Sequence, residues 1–316
     1  MSLIVTILSA LAPIIFVTAL GWFAGARGVF KPDASSVIAA FVVKFALPLS
    51  LFVAAAKAKP SDILNLPYLG ALFVGMVGCY ILAAILGRLV FKHTAGEAGL
   101  QGLAASFPNM AYCGPPVIGA AVGPQGILAV VLGNLILSLV MMPATLVLLS
   151  RSKGSVGGSA GSGGGVLIAL REAVSQPLVF LPVAGVALAL AGFHLPTLAV
   201  SAINEIGNAA GGAALFTLGL ILSRIQFHLN LEILVNLAIK NLLQPLVLLG
   251  AGLGFGLHGA LLKEVFLLGV LPAATAVPTL ALANQTYAED SAATVLASTT
   301  LSILTISAGI AIAAAL

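Results

Sequence analysis

The chain has 316 residues, of which 7% are charged and 60% are hydrophobic. Soluble domains carry about 25% charged residues, so this composition leaves too few polar side chains to cover a soluble surface. It excludes a soluble enzyme. The net charge of +4 comes from scattered residues, which gives no indication of a nucleic-acid partner.

Apolar runs of about 20 residues predict an all-α polytopic membrane protein with about ten transmembrane helices. The first basic residue, Arg27, follows the first apolar run, which we therefore expect to be a retained span and not a cleaved signal peptide. The predicted spans, numbered 1 to 10, are approximately 3–25, 35–56, 67–91, 98–122, 126–149, 171–192, 197–223, 231–257, 260–284 and 289–316.

Basic residues are distributed unevenly between the loops of the two sides. One side carries Arg27, Lys31, Arg88, Lys92, Arg151, Lys153, Arg171 and Arg224, and the other carries Lys57, Lys59 and Lys263. The positive-inside rule therefore predicts a protein of the cell (inner) membrane with both termini outside, in the periplasm, and the central linker in the cytoplasm.

A Gly/Ser-rich stretch, 151–166, separates residues 1–150 from residues 167–316. We interpret it as a linker, because glycines and serines bury too little apolar surface to become ordered. Five spans on each side is an odd number, so we interpret the halves as two inverted five-helix repeats. An offset of 164 residues supports this by aligning Pro13 with Pro177, Gly21 with Gly185, Pro32 with Pro196 and Pro108 with Pro272.

Clustered prolines predict that spans 4 and 9 are broken. Span 4 contains Pro108, Pro115 and Pro116, and span 9 contains Pro272 and Pro278. Proline removes a backbone donor and clashes with the preceding turn, and unwound backbone is tolerated in a membrane only where protein or a cavity surrounds it. Matched breaks in two repeats predict the binding site, whereas the alternative is a pair of kinks used only for packing.

These stretches resemble a known family. Residues 106–117, SFPNMAYCGPPV, are similar to the Pro-Asn broken helix of the auxin efflux carriers, which include the plant PIN carriers and bacterial malonate-type transporters. Residues 41–52, 210–220 and 271–283 resemble the second, seventh and ninth spans of that family. The resemblance implies a fold similar to that of sodium/bile-acid symporters, with helices 4 and 9 crossing at their prolines. It also implies a scaffold domain, a transport domain with an elevator-type movement, and a homodimer formed through the scaffold.

The resemblance also implies which residues bind substrate beside the crossing of spans 4 and 9. Ala273, where the first repeat has Asn109, makes this site chemically asymmetric. The candidates are Pro108, Asn109, Gly114, Pro115, Pro116, Thr275, Val277 and Pro278.

Polar side chains inside the spans suggest how an anion is held. The amide of Asn109 is suited to a carboxylate oxygen, or alternatively to capping the second half-helix. Lys44 lies in span 2, and Lys240 and Gln244 share one face of span 8. Either ammonium would neutralise an anionic substrate; the alternatives are snorkelling and contact with carbonyls exposed at the breaks.

Glu205 is the one carboxylate that we place clearly inside a span, and it is the candidate for proton or sodium coupling. The alternative is a solvated carboxylate near a helix N-terminus. Glu232, Glu264, Glu289 and Asp290 are interpreted as terminal. We interpret the Ser and Thr residues of span 10 as helix-packing groups, and we expect no metal site or cofactor.

The preferred hypothesis is a secondary transporter, not an enzyme, that moves a small organic anion, malonate-like or auxin-like. A cation/proton antiporter is one alternative, but it needs acids at the crossing of spans 4 and 9, where the sequence provides none. A channel or a non-transporting receptor on the same fold is the other.

Overall fold

The computed structural model describes residues 3–31, 33–123, 126–154, 175–224 and 228–316. Within these ranges the regular structure is helical, apart from an isolated antiparallel bridge between Pro108 and Ala273. The predicted linker, 151–166, lies outside the described residues beyond Gly154, as does the predicted start of span 6.

The helices occupy the predicted spans, and we number them accordingly, with the two halves of helices 4 and 9 as 4a, 4b, 9a and 9b. Their bounds are Leu3–Ala26 for helix 1, Ala34–Ala56 for helix 2, Leu66–Leu89 for helix 3, Ala95–Ser106 for 4a, Met110–Ala121 for 4b, Ile127–Ser152 for helix 5, Pro177–Leu190 for helix 6, Thr197–Leu222 for helix 7, Leu231–Gly254 for helix 8, Gly259–Val270 for 9a, Ala276–Ala283 for 9b and Ala288–Ala315 for helix 10. A single turn, Pro60–Ile63, precedes helix 3.

Six of these helices, 2, 3, 5, 7, 8 and 10, are long and apolar enough to cross a membrane. Helices 1 and 6 add the shorter apolar stretches Leu11–Ala26 and Val179–Leu190. The described part of the chain is therefore a polytopic all-helical membrane protein, as the composition predicts.

Three of the long helices widen into a π-helical turn at the same position relative to a proline. The π segments are Val42–Ala46, Leu137–Met141 and Ala238–Leu243, and Pro48, Pro143 and Pro245 follow two residues after them. Proline lacks the N–H for the carbonyl one turn earlier and pushes that carbonyl away, so the preceding turn widens. In helix 8 the wider turn brings the adjacent residues Lys240 and Asn241 to the buried side together.

The helices pack in two groups. Helix 1 packs against helix 7, and helix 2 packs against helices 6 and 7. The second group contains helices 3, 4, 5, 8, 9 and 10, in which helix 3 lies against 4a and helix 8 against 9a. The groups meet where helices 1 and 7 contact 4b, where helix 1 contacts helix 10, and where helices 2 and 6 contact helix 5.

Two glycines allow the closest approaches in the first group. A Cβ on Gly21 of helix 1 would lie 2.1 Å from the carbonyl oxygen of Phe216 in helix 7. A Cβ on Gly185 of helix 6 would lie 2.5 Å from the carbonyl oxygen of Phe52 in helix 2. Because these contacts are with backbone atoms, no rotamer change relieves them, and only glycine fits at either position.

Candidate functional site at the crossing of helices 4 and 9

The two breaks are shorter than the proline clusters suggest. Helix 4a ends at Ser106 and 4b begins at Met110, whereas 9a ends at Val270 and 9b begins at Ala276. Only Pro108 and Pro272 lie in the breaks.

The prediction that the other prolines belong to the breaks is wrong. Pro115 and Pro116 lie inside helix 4b, and Pro278 is the third residue of 9b. Pro278 is accommodated there because the first turn of a helix has no intrahelical partner for its N–H groups. Gly114 allows helix 4b to approach helix 5, since a Cβ there would lie 2.8 Å from Cγ2 of Val130.

The two breaks pair with each other through their backbones. The N–H of Asn109 donates to the carbonyl of Pro272 at 2.7 Å, and the N–H of Ala274 donates to the carbonyl of Phe107 at 3.0 Å. This miniature antiparallel ladder partners backbone groups that the breaks remove from the helices, in a region where water is scarce. The predicted crossing of helices 4 and 9 at their prolines is therefore observed; we call it the crossover.

The ladder has a local two-fold symmetry with a register of 165 residues. Exchanging Asn109 with Ala274 and Phe107 with Pro272 converts one hydrogen bond into the other. The sequence alignment at an offset of 164 makes Ala273 the equivalent of Asn109, which is wrong at this point by one residue. In the ladder the equivalent of Asn109 is Ala274, and Ala273 is bridged to Pro108.

Helix 8 caps the C-terminal ends of both first half-helices. Nε2 of Gln244 donates to the carbonyl of Ser106 at 2.6 Å, and Nζ of Lys240 donates to the carbonyl of Gly269 at 2.8 Å. Both side chains are fully buried. The prediction that Lys240 and Gln244 share a face is confirmed, and the contact with carbonyls near the breaks is the one that the alternative interpretation named.

A second pair of side chains, which the sequence reasoning missed, holds the other strand of the crossover. Oγ of Ser298 in helix 10 accepts the N–H of Ala273 at 2.9 Å and donates to Oδ1 of Asn241 at 2.7 Å. The hydroxyl-rich sequence of helix 10 indicated packing groups, but no local pattern links Ser298 to a residue 57 positions earlier. The signal available in the sequence was the adjacent polar pair Lys240 and Asn241 inside an apolar span, which indicates that this span has polar partners.

These contacts leave the crossover electrostatically positive. The C-terminal, partly negative ends of 4a and 9a are covered by Gln244 and Lys240, while 4b and 9b begin at the crossover with their partly positive N-termini. Helix N-termini of this kind bind anions through free N–H groups. The arrangement therefore favours a negatively charged ligand.

Asn109 occupies the N-cap position of helix 4b, but its side chain makes no capping hydrogen bond. Its exposed fraction is 2%, and its Nδ2 has no hydrogen-bond partner among the described residues; the same holds for Oε1 of Gln244. An unpartnered buried amide costs about 1–3 kcal/mol, so such groups are found where a ligand or water completes them. Thr275 and Val277 are also buried beside the second break.

Two predicted site residues lie away from the crossover. Lys44 is exposed on the π turn of helix 2, which packs against helices 6 and 7. Glu205 is exposed on helix 7. Glu232 and Glu264, interpreted as terminal, are the second residue of helix 8 and the sixth residue of helix 9a, and the structure shows that both are buried. Glu264 accepts a hydrogen bond from Tyr68 at 2.7 Å.

Glu232 belongs to a polar cluster where the loop before 4a, the start of helix 8 and the start of helix 10 meet. It contacts Nε2 of His93 at 2.8 Å and accepts a hydrogen bond from the Tyr287 hydroxyl at 2.5 Å. Burial, followed by the neighbouring Glu232 carboxylate, raises the pKa of the Tyr287 hydroxyl, which therefore stays protonated and donates. Asn236 continues the cluster inward by donating to Tyr287, and it accepts from Gln101.

Two surface cavities lie elsewhere in the molecule and are lined almost entirely by apolar atoms. One, of about 460 Å³, is bounded by helices 3, 5 and 8 near Phe255, and the other, of about 530 Å³, lies along helix 3 near Arg88. Neither includes the residues of the crossover, and their apolar linings are typical of surfaces that face lipid.

Comparison with known proteins places this geometry in a family. The membrane transport protein family matches residues 6–161 and 166–309, and the gap falls in the predicted linker. The uncharacterized transporter YfdV of Escherichia coli K12 is 32% identical over 269 residues, covering 84% of each chain. A putative malonate transporter of Rhizobium meliloti is 25% identical over 269 residues, covering 84% of this chain and 83% of its own. With a match that extends over both halves, the chain belongs to the membrane transport protein family of auxin efflux carriers and is a membrane transporter.

Proposed function

We propose that the protein is a secondary transporter that moves a small organic anion, a short carboxylate, and binds it at the crossover. The observation that carries this proposal is that two half-helix N-termini and the unpartnered Nδ2 of Asn109 lie at one buried place. A carboxylate oxygen accepts hydrogen bonds from both kinds of donor.

The groups at the crossover favour an anion over a cation. Lys240 is fully buried beside the break of helix 9, and in the described part of the chain no carboxylate reaches the crossover hydrogen bonds. Glu264 is in the middle of helix 9a, six residues before its end at Val270, and it accepts a hydrogen bond from Tyr68. A cation/proton antiporter needs acids at the crossing point, so the anion transporter is the better supported of the two.

An elevator-type movement is supported by the grouping of the helices. The crossover and all side chains that hold it belong to helices 4, 8, 9 and 10, which pack together. The other group, helices 1, 2, 6 and 7, contacts this unit chiefly along 4b, 5 and 10. We infer that helices 1, 2, 6 and 7 form a scaffold, through which the protein dimerises. Helices 3, 4, 5, 8, 9 and 10 then move with the substrate.

Two inverted repeats are supported by the glycine contacts. Gly21 packs against Phe216, and Gly185 packs against Phe52; an offset of 164 residues converts Gly21 into Gly185 and Phe52 into Phe216. The pairs therefore exchange under the offset that aligns the prolines. With the register of 165 at the crossover, this agrees with an internal two-fold axis and one residue of slippage between the repeats.

Short dicarboxylates are the substrates that we favour, on the name of the Rhizobium meliloti relative. The transporter lies in the inner membrane with its termini outside and its central linker in the cytoplasm, on the distribution of Lys and Arg. In this topology helices 4, 8 and 10 all start on the cytoplasmic side. The contacts between the loop before 4a and the starts of helices 8 and 10 agree with that placement.

The test is uptake of labelled mono- and dicarboxylates, malonate included, by proteoliposomes that contain the purified protein. We expect saturable uptake of at least one of them above that of empty vesicles. Failure of every carboxylate would contradict the proposal. Flux that does not saturate would favour a channel, and saturable binding without flux would favour a receptor.

A further inference from the structure

Lys240 is buried without the partner that a charged lysine needs. Its exposed fraction is 0%, and its Nζ donates to the Gly269 carbonyl at 2.8 Å. Among the described residues it forms no ion pair with a carboxylate, since the ion pairs there involve His93 and His228. Removing an unpaired charge from water is so costly that a buried group usually becomes neutral instead.

The helices around the Lys240 turn supply no counter-charge. Helices 3, 4a, 9a and 10 pack against this turn. These four helices and helix 8 itself carry ten further titratable or charged side chains. They are Tyr68, Cys79, Tyr80 and Arg88 on helix 3, Glu97 on 4a, Lys263 and Glu264 on 9a, Glu289 and Asp290 on helix 10, and Glu232 on helix 8. Cys79 is a buried thiol, not a carboxylate.

The buried carboxylates in this set are bonded elsewhere. Glu232 contacts His93 and accepts from Tyr287, whereas Glu264 accepts from Tyr68. Two turns separate Glu232 from Lys240 along helix 8.

Toward the start of helix 8, a side-chain amide separates Lys240 from the buried acid Glu232. Asn236 lies between Glu232 and Lys240, and its side chain bonds Tyr287, Thr294 and Gln101. A side-chain amide does not titrate and so does not carry a proton between the two. This amide favours proton entry to Lys240 from the crossover side.

We propose that Lys240 is neutral in the carrier without substrate and takes up one proton from the same solution as the anion when the anion binds. The amine Nζ gains the proton and becomes an ammonium, and the carboxylate supplies the missing counter-charge across the crossover. On release, the anion and the proton leave to the same side. This inference rests on the proposed function, and it makes the carrier a proton–anion symporter.

The experiment is the pH dependence of malonate affinity, measured calorimetrically on the purified full-length protein, with any carboxylate found to be transported as a second probe. Uptake of one proton on binding makes the affinity fall roughly tenfold for each pH unit over the range in which Lys240 is neutral in the free carrier and protonated in the complex. A pH-indicator dye in weak buffer then reports about one proton taken up for each malonate bound.

Lys240→Arg provides the matched variant, because a guanidinium remains charged at every pH used. We expect it to bind malonate with no dependence on pH and no proton uptake. If Lys240→Arg does not fold, Lys240→Met replaces it, with weak binding that is equally independent of pH. A variant that keeps the tenfold dependence would show that another group takes up the proton and would overturn the proposal.

The two proposals fail differently. Malonate binding by the natural protein with no pH dependence and no proton uptake would overturn the role of Lys240 and leave the anion transporter intact. The absence of binding or uptake for every carboxylate tested would overturn both.

Discussion

Helices 3 and 8 hold similar positions but have different chemistry. Helix 3 packs against half-helix 4a and helix 8 against 9a, with glycines at both contacts: a Cβ on Gly102 would lie 2.9 Å from the Tyr80 ring, and one on Gly269 would lie 2.8 Å from Leu248. Helix 3 buries the apolar side chains Met76 and Val77. Helix 8 buries Asn236, Lys240, Asn241 and Gln244.

The difference shows that helix 8, in the second half of the chain, supplies side-chain hydrogen bonds to the crossover. Gln244 reaches the break of helix 4, and Lys240 and Asn241 serve helix 9, the latter through Ser298. Helix 8 thus stabilises both breaks, whereas helix 3 contributes packing. Two backbones related by a local two-fold axis acquire an asymmetric site because helix 8 donates to both half-helices, whereas the buried hydroxyls of helix 3 bond Glu264 and Thr145.

The largest effect is expected from Lys240→Met, which makes helix 8 resemble helix 3. Loss of a buried charge that faces an anion costs about 2 kcal/mol or more, so we expect transport to fall roughly thirtyfold or more. Uptake by proteoliposomes at matched protein content measures it. The control is Met76→Leu in helix 3, where a swap of similar volume leaves uptake near that of the natural protein. Equal losses in both variants would remove the distinction.

The next largest effect is expected at the glycine contacts among helices 1, 2, 6 and 7. Gly21→Ala and Gly185→Ala each place a methyl group against a backbone carbonyl, at 2.1 and 2.5 Å, so the helices must separate. We expect each to cost about 1–3 kcal/mol of stability. Thermal unfolding in detergent measures it, with Gly212→Ala as the control, because a Cβ there meets nothing within 4 Å. An unaffected Gly185→Ala beside a damaged Gly21→Ala would argue against equivalent repeats.

Ser298→Ala tests the support of the crossover from helix 10. It leaves the buried N–H of Ala273 without its acceptor, and we expect a loss of about 1–2 kcal/mol in the free energy of unfolding. Ser307→Ala is the matched control, since Ser307 is half-buried and its hydroxyl donates to the carbonyl of Ile303 in its own helix. A midpoint of unfolding equal to that of the control would mean that the ladder holds without helix 10.

The smallest effects are expected from Glu205→Gln and Lys44→Gln. Both side chains are exposed on the helices that we assign to the scaffold, away from helix 8. We expect changes in stability within about 0.5 kcal/mol and unchanged uptake. Abolished transport in the Glu205 variant would restore it as a coupling residue and weaken the assignment of that role to Lys240.

Much of the helical plan follows from the sequence because apolar run length is a direct consequence of bilayer thickness. The described helices begin and end within a few residues of the predicted spans, and the face shared by Lys240 and Gln244 follows from helix periodicity. The breaks in helices 4 and 9 follow from their prolines, whereas the crossing of the two helices is what the family resemblance implies. These features depend on local order along the chain.

Features that depend on tertiary packing were not predictable in the same way. Proline clusters mark a break only approximately, because a proline in the first turn of a new helix, such as Pro278, costs nothing. The burial of Glu264 depends on Tyr68, which lies 196 residues away in sequence. Likewise, the link from Asn241 through Ser298 to Ala273 joins three separate helices.

The central claim is that the crossover binds an anion through groups that the fold leaves without partners, and Asn109→Ala tests it most directly. Because Nδ2 of Asn109 is buried with no partner among the described residues, its loss removes an unfavourable group and should not lower thermal stability. Affinity for the transported carboxylate, measured by calorimetry, should fall roughly tenfold, the loss of about one charge-assisted hydrogen bond. Unchanged affinity with reduced stability would show that Asn109 is a structural cap and would contradict the account.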